Sequence, residues 1–566
     1  MDAALYEETL DSQSSVNPCI SKEVLYVQDQ NGGSYNGQIQ FDTSVLSNSG
    51  MWLGYSEAYL EIPLVCTFSF AANAADEANV AAATNAFLVG LKNGSHQLID
   101  SIQVDYNNTN VIQQQPFTNF YVSYKLMTSF SQDDVKKYGP AISFNPDTAS
   151  SFSFAAAANA SGDGYSNNRI YPLTAPVYSG AAIVYDGFNQ GLAQRLKNSS
   201  FGVGPTIQAG YGAVPTIATQ ALCNQIGKNY AIDNAVAGNG RIVQWNILAT
   251  IRLKDIADFF DKIPLIKGGF MRLIVNYNSS TTSFDEVKNA DTVALPANGV
   301  TMNSGRTNPI MVVSGATNNP LLPVLQPVNT GDATFTVRCG VRSTSDSFAN
   351  PPLTSCRLYV PAYSLNPVYE EQLLTLKPTK EVVYTDIYNY NITNVAAGGS
   401  FNAILTNGIV NPKYVVVIPF ANSSAAGVFA NFRGPVYQSP FDTAPATTTP
   451  LAAITQFNVQ VGGKNIFQQN FQYDFEAFMN EVVSANAING GTTVGLSNGL
   501  IGKFEWDNAY RYYVADVSRR IPAEDTIPKS ITVQGINNTA VACDYICFII
   551  FERKISIDMT TGALIG

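Results

Sequence analysis

Ile99-Asp-Ser-Ile102-Gln-Val104-Asp-Tyr106-Asn-Asn-Thr-Asn-Val-Ile-Gln-Gln114 is written a second time in this chain, 355 positions later (457 minus 102). The second copy reads Ile454-Thr-Gln-Phe457-Asn-Val459-Gln-Val461-Gly-Gly-Lys-Asn-Ile-Phe-Gln-Gln469. Of the 22 aligned pairs from 99 to 120, six are identical: Ile99/Ile454, Val104/Val459, Asn110/Asn465, Gln113/Gln468, Gln114/Gln469 and Phe120/Phe475. Average residue usage gives about one or two. The copies share physics as well as letters. Ile102, Val104 and Tyr106 alternate with Gln103 and Asp105, as Phe457, Val459 and Val461 alternate with Asn458 and Gln460, which is the period of a half-buried strand. Asn107-Asn108 and Gly462-Gly463 then supply residues that tolerate positive φ, so each can close a tight hairpin. Beyond the hairpin the period becomes helical, through Phe117, Phe120, Tyr121 and Tyr124 in one copy and Phe475, Phe478, Met479 and Val482 in the other. Strand, tight turn, strand, helix is therefore expected once in each half.

Composition agrees with two large β domains in the 566 residues. Only 13% of residues are charged, while Gly (42), Pro (28), Tyr (29) and Phe (31) are plentiful, an all-β profile with polar loops on apolar cores. A net charge of -11 leaves no broad basic surface, so no direct nucleic acid binding is expected. The start Met1-Asp2-Ala-Ala-Leu-Tyr-Glu-Glu lacks a basic n-region and an apolar h-region, which predicts synthesis in the cytosol rather than secretion. No window approaches 18 uninterrupted apolar residues. The cysteines (Cys19, Cys66, Cys223, Cys339, Cys356, Cys543 and Cys547) are odd in number and scattered, as reduced thiols would be. Eight Asn-X-Ser/Thr triplets are expected to stay unglycosylated for the same reason.

In chain order, residues 1–30 read as a polar N-terminal arm. Strand signals begin at Gly37, and Tyr59-Leu-Glu-Ile-Pro-Leu-Val65 is a second run in which Pro63 marks an edge or an end. Residues 71–86 read as a loop, and 141–240 as large loops broken by a strand at 181–185 and a short helix at 191–197. The first half, 31–285, closes with a strand at 242–251, a helix through Ile256, Phe259 and Phe260, and a strand at 270–277. Residues 286–330, rich in Pro, Asn, Gly and Thr, read as the interdomain connector, which leaves 331–566 as the second domain. Cys356-Arg-Leu-Tyr-Val-Pro361 echoes Tyr59 to Pro63 at an offset of 298 (361 minus 63), implying 57 residues (355 minus 298) gained in the second half.

No catalytic, cofactor-binding or metal constellation emerges. His96 is the single histidine, has no nucleophile elbow beside it, and reads as a solvated or capping residue. Asp133-Asp134 could serve as acid and base, and Asp255, Asp258 and Asp261 fall on what reads as the solvated face of an amphipathic helix. Gly202-Val-Gly204 precedes Pro205 rather than a helix, unlike a phosphate loop. Cys543 and Cys547 have metal-like spacing, but lie in an apolar run and read as core.

Tyr35-Asn-Gly37-Gln-Ile-Gln-Phe41-Asp42, Asn189-Gln-Gly191-Leu-Ala-Gln-Arg195, Leu358-Tyr-Val-Pro361-Ala-Tyr-Ser-Leu-Asn-Pro367 and Asn411-Pro-Lys-Tyr414-Val-Val-Val-Ile-Pro419 carry a resemblance. In this order, over nearly the whole chain, they resemble the double jelly-roll major capsid proteins of Polinton-like viruses and virophages. The resemblance implies two tandem eight-stranded antiparallel jelly rolls with short helices in the loops. It further implies a homotrimer whose six rolls form a pseudo-hexameric capsomer of an icosahedral virion, contacting neighbouring capsomers, penton and other minor capsid proteins. The loops at 141–240 and 420–450 would face outward, and the arm and Ser556-Ile-Asp-Met-Thr-Thr-Gly562 would face the interior or a neighbouring capsomer. The competing reading is a double jelly-roll carbohydrate-binding or glycan-hydrolysing protein, for which a secretion signal, disulfides and a pair of cleft carboxylates would be expected.

Overall fold

The computed structural model describes residues 18–70, 87–149, 241–289, 306–314, 333–341, 355–422, 434–440, 443–449, 452–468, 471–488, 498–518, 527–539 and 541–565, with short pieces at 178–179, 182–183, 191, 195, 230–233, 292–294 and 300–302. The expected loop at 71–86, the Gly202-Val-Gly204 run, most of the 141–240 loops with most of the expected strand at 181–185 and helix at 191–197, and residues 423–433, 441–442 and 450 of the 420–450 loop lie outside these residues.

The C-terminal half shows the topology most simply. Its eight principal strands are Thr379–Val395, Ser400–Ile409, Pro412–Ala421, Ile454–Val461, Lys464–Asn465, Tyr513–Asp516, Lys529–Asn537 and Cys543–Asp558, with a two-residue ninth, Leu564–Ile565, beside the last. Counted one to eight in chain order, they hydrogen-bond as two antiparallel sheets of order 1-8-3-6 and 2-7-4-5. That order is the double Greek key of a jelly roll. Side chains alternate across each strand, so one face of each sheet meets the other in a shared core. Phe401 stacks on Tyr545 at 4.7 Å and Phe457 meets Tyr513 at 5.2 Å between the sheets.

The N-terminal half repeats the order. We label its strands β1 (Cys19–Gln28), β2 (Gln38–Asp42), β3 (Tyr59–Phe70), β4 (Ile99–Tyr106), β5 (Thr109–Ile112), β6 (Arg241–Arg252), β7 (Met271–Tyr277), β8 (Ala333–Val341) and β9 (Arg357–Leu365). One sheet runs β2-β7-β4-β5 and the other β1-β9-β3-β6. The eighth strand is split, because β8 pairs with the far half of β3 (Phe335 opposite Phe70 to Val341 opposite Leu64) and β9 with the near end (Arg357 opposite Glu61 to Tyr359 opposite Tyr59). The protein is therefore all-β, a double jelly roll, with the repeated stretches in equivalent places: Ile99–Tyr106 and Ile454–Val461 are each the fourth strand of their roll. Both hairpin turns sit at positive φ, 46° and 65° for Asn107 and Asn108, 56° and 79° for Gly462 and Gly463. Each is followed by its helix, α1 (Thr118–Ser129) or, in the second roll, Phe475–Ile488.

The strand pairing departs from the sequence reading in four places. Cys19–Gln28 of the expected arm is an edge strand, with Ile20, Val24 and Tyr26 exposed on its outer face; residues 1–17 lie outside the described part. The boundary between rolls falls at the helix α2 (Pro367–Leu376), since β8 and β9 complete the first roll rather than open the second. Residues 286–330 are thus an insertion between the seventh and eighth strands of one roll. Pro and Gly mark where a chain leaves a sheet, and that signal is the same for an insertion as for a linker. The echo at offset 298 joins two neighbours in one sheet, with Tyr59 opposite Tyr359. The repeat partner of β3 is Pro412–Ala421, again at an offset of 355 (414 minus 59), so no 57-residue gain remains. Pro63 lies in a central strand, at the point where the ladder passes from β8 to β9 and skips Ile62 and Pro63, so its missing N–H leaves no bond unmade on that side.

Candidate functional site: the contact between rolls

None of the described residues considered for chemistry assembles a reactive site. His96 is buried rather than solvated, 2.9 Å by Nε2 from Ser123 Oγ, and burial, with the Arg195 charge beyond it, pushes its pKa down to about 3. Ser123 Oγ in turn donates to Asn119 O at 2.9 Å, which binds the hydroxyl to its own helix. Asp134 forms a capping box with Ser131, whose backbone N–H holds the carboxylate below its usual range. The Asp255, Asp258, Asp261 helix is broken at Ala257, which corrects the solvated-face reading for two of the three. Asp255 is 9% exposed and forks with Arg252 at 2.7 and 2.9 Å, and Asp258 accepts from Thr385 N (2.9 Å) and Oγ1 (3.1 Å) of the second roll. Asp261 is exposed. Cys543 and Cys547 are buried in a strand, where burial raises both thiols, and no group of His, Cys, Asp or Glu suited to a metal occurs among the described residues.

The built feature of the molecule is the face where the rolls meet. With Tyr545 and Tyr513 pointing into the second roll's core, the alternate residues Tyr414, Phe420 and Phe548 point outward, yet all three are at most 1% exposed. The first roll covers them. Phe120 of α1 packs on Phe420 at 5.1 Å, Tyr121 packs on Phe548 at 5.8 Å, and the Tyr121 and Tyr414 hydroxyls lie 2.9 Å apart. Polar bonds fix the register. Tyr384 Oη donates to Val111 O (2.6 Å), and Arg553 donates to Val111 O (2.9 Å) and Asn110 O (3.0 Å) while pairing with Asp386 (3.0 Å). Burial pushes the Asp386 carboxyl up; bonds from Ile387 N and Arg553 oppose the shift. The chain end closes the same seam, because Gly562 O accepts from Tyr106 Oη (2.6 Å) and Asn107 Nδ2 (2.8 Å), docking the C-terminal segment on the subunit's own first hairpin.

Carrying the contact along the repeat exposes an asymmetry. Helix α1 is buried on nearly every side, from Thr118 to Tyr124 without a break, whereas its counterpart Phe475–Ile488 leaves Glu476 and Asn480 exposed where α1 has Tyr121 and Lys125. Asn465 and Gln468, the repeats of Asn110 and Gln113 at the roll contact, are exposed and line a cavity of about 430 Å³ with Phe457, Phe471 and Gln534. The covered row Tyr414, Ile550, Ile387 of the second roll matches Tyr59, Tyr359, Tyr26 of the first. That first-roll row faces outward. Tyr59 stacks on Tyr359 at 4.9 Å, Tyr26 is 50% exposed, and Val24 beside it is 54% exposed. Sequence reasoning missed this face, although the run Phe120, Tyr121, Val122, Tyr124, Leu126, Met127 carried its signal: a helix apolar all round is covered all round.

No protein-family model and no curated protein sequence matches the chain. Among solved structures it is similar to the Sputnik virophage cryo-EM structure, with 9% identity, a TM-score of 0.47 and coverage of 98% of this chain and 89% of that one. It is similar to the mavirus major capsid protein at 9% identity and a TM-score of 0.43, covering 98% and 91%. For the Faustovirus major capsid protein the values are 10% identity, a TM-score of 0.40, and 96% and 91% coverage.

Proposed function

We propose that the chain is a major capsid protein, a structural subunit of a virion, whose copies associate by repeating between chains the roll-on-roll contact found within one. In this reading the exposed Tyr26, Tyr359, Tyr59 face of one copy receives the second-roll helix Phe475–Ile488 and the Asn465–Gln468 edge of the next. A contact of this head-to-tail kind closes into a ring when its rotation allows. The motif resemblance implies a ring of three copies, a pseudo-hexameric capsomer of six rolls, with penton and minor capsid proteins at its margins and an icosahedral shell as the product. The observation that carries the reading is the unequal burial of two repeat-related helices. The more polar surface of the second helix suits a contact between chains that must first be soluble alone.

Purified full-length protein at micromolar concentration is expected to weigh three chains by mass photometry and to show hexagonal particles in negative stain. Val24→Glu with Tyr26→Glu, both on an exposed strand face, is expected to give monomers with an unchanged far-ultraviolet circular dichroism spectrum. A monomeric wild type, or a double variant that still forms trimers, contradicts the proposal.

A further inference from the structure

Cys66 and Cys339 lie 273 residues apart in sequence and directly opposite one another in the β3/β8 ladder. Their sulfurs are 3.4 Å apart, and each residue is 1% exposed, in the core of the first roll. Opposed residues of antiparallel strands have Cα atoms about 4.5 to 5.5 Å apart, inside the roughly 4.4 to 6.8 Å that a disulfide spans. We propose that Cys66 and Cys339 are an oxidation site, a dithiol that a small peroxide converts into a cross-strand disulfide. In the first step one thiol sulfur attacks hydrogen peroxide, the O–O bond breaks, and a sulfenic acid and one water form. In the second step the other thiol sulfur attacks the sulfenic sulfur and displaces hydroxide, which takes up the thiol proton and leaves as a second water. Two thiols lose two electrons, and peroxide is reduced to two waters.

Geometry sets both the selectivity and the pace. Cys66 and Cys339 face one another across a ladder with their sulfurs 3.4 Å apart, and no disulfide joins any of the six described cysteines. The hydrogen bond to Cys339, together with burial, raises the Cys66 thiol well above its ordinary range, so little thiolate is present and oxidation is slow. Burial also favours a small neutral oxidant over a bulky disulfide. The bond would tie β3 to the half-strand that follows the 286–330 insertion, closing a long loop. It would suit a particle that folds in a reducing compartment and persists outside it, but the inference rests on the strand register and the sulfur separation and stands without the capsid reading.

The test is peptide mapping of the full-length protein under non-reducing conditions after exposure to hydrogen peroxide, alongside thermal melting. A Cys66–Cys339 linked peptide is expected, with a melting temperature raised by about 5 °C. Cys66→Ala and Cys339→Ala are each expected to abolish the rise, and dithiothreitol is expected to reverse it in the wild type. Recovery of both cysteines as free thiols under peroxide that oxidises Cys19, or linkage of either to a different cysteine, overturns the proposal.

Discussion

Single residues at the repeated hairpins show which side-chain choices the backbone leaves open. Gly462 has φ 56° and nothing within 4 Å of where a Cβ would sit, so a substitution there meets a conformational cost and no clash. Gly462→Val is expected to destabilise the second roll by roughly 1–2 kcal/mol, because a β-branched residue is strained in the left-handed region. Gly462→Asn is expected to lie close to wild type, since Asn107 occupies the same turn in the first roll at φ 46°. Equal melting temperatures for the two variants would remove the turn from the account. His96 makes a prediction about pH. Its folded pKa lies near 3, below the unfolded value of about 6.5, so only the unfolded chain takes up the proton between those limits. The penalty is absent above about pH 6.5 and grows as pH falls, reaching roughly 2 kcal/mol at pH 5. Asp386 and Asp544, both raised by burial, act in the opposite sense, so the measurement is the difference in melting between wild type and His96→Gln at pH 7 and pH 5. A gap that does not change with pH would show that His96 titrates in the fold as it does in the unfolded chain.

At the scale of elements, α1 serves two cores at once, and its pairing with the second roll can be measured. A double-mutant cycle on Tyr121→Phe and Tyr414→Phe is expected to give a coupling of about 1 kcal/mol, the value of a buried hydroxyl pair at 2.9 Å. Additive losses would mean that the two hydroxyls do not recognise one another. The strand, turn, strand, helix unit was legible because all its signals are local: period two, positive-φ residues, then period 3.6. Pairing between distant segments was not legible in the same way. The pattern of β9 says that one of its faces is apolar; it cannot say that the partner is β3, almost 300 residues back, rather than a strand of the second roll. Pro63 misled for a related reason. Proline excludes an unbroken ladder, and the interruption came from a split partner strand rather than from a sheet edge. His96 and Asp258 were misjudged because a polar residue satisfied by a segment far along the chain looks, in one dimension, like one satisfied by water.

For the whole molecule, the strand register decides where the chain can be divided. β9 contributes Leu358, Val360 and Ala362, all at most 1% exposed, to the first roll's core, and β8 and β9 together form the ladder beside β3. A chain separated after residue 330 would leave β3 with an open edge and remove that apolar face from its core, two losses that favour aggregation over folding. Separation after Asn366, just before α2, keeps every ladder of both rolls intact. It cuts only the covalent link across a face already held by Tyr121 with Tyr414, Tyr384 with Val111, and Arg553 with Asn110. Co-expressed 1–366 and 367–566 are therefore expected to purify together at equal stoichiometry through a tag on one piece, whereas 1–330 and 331–566 are expected to be insoluble or unfolded. The reverse outcome would return β8 and β9 to the second roll. It would also remove the roll-on-roll face as a contact able to hold without a tether, and with it the reason to expect the same face between separate copies.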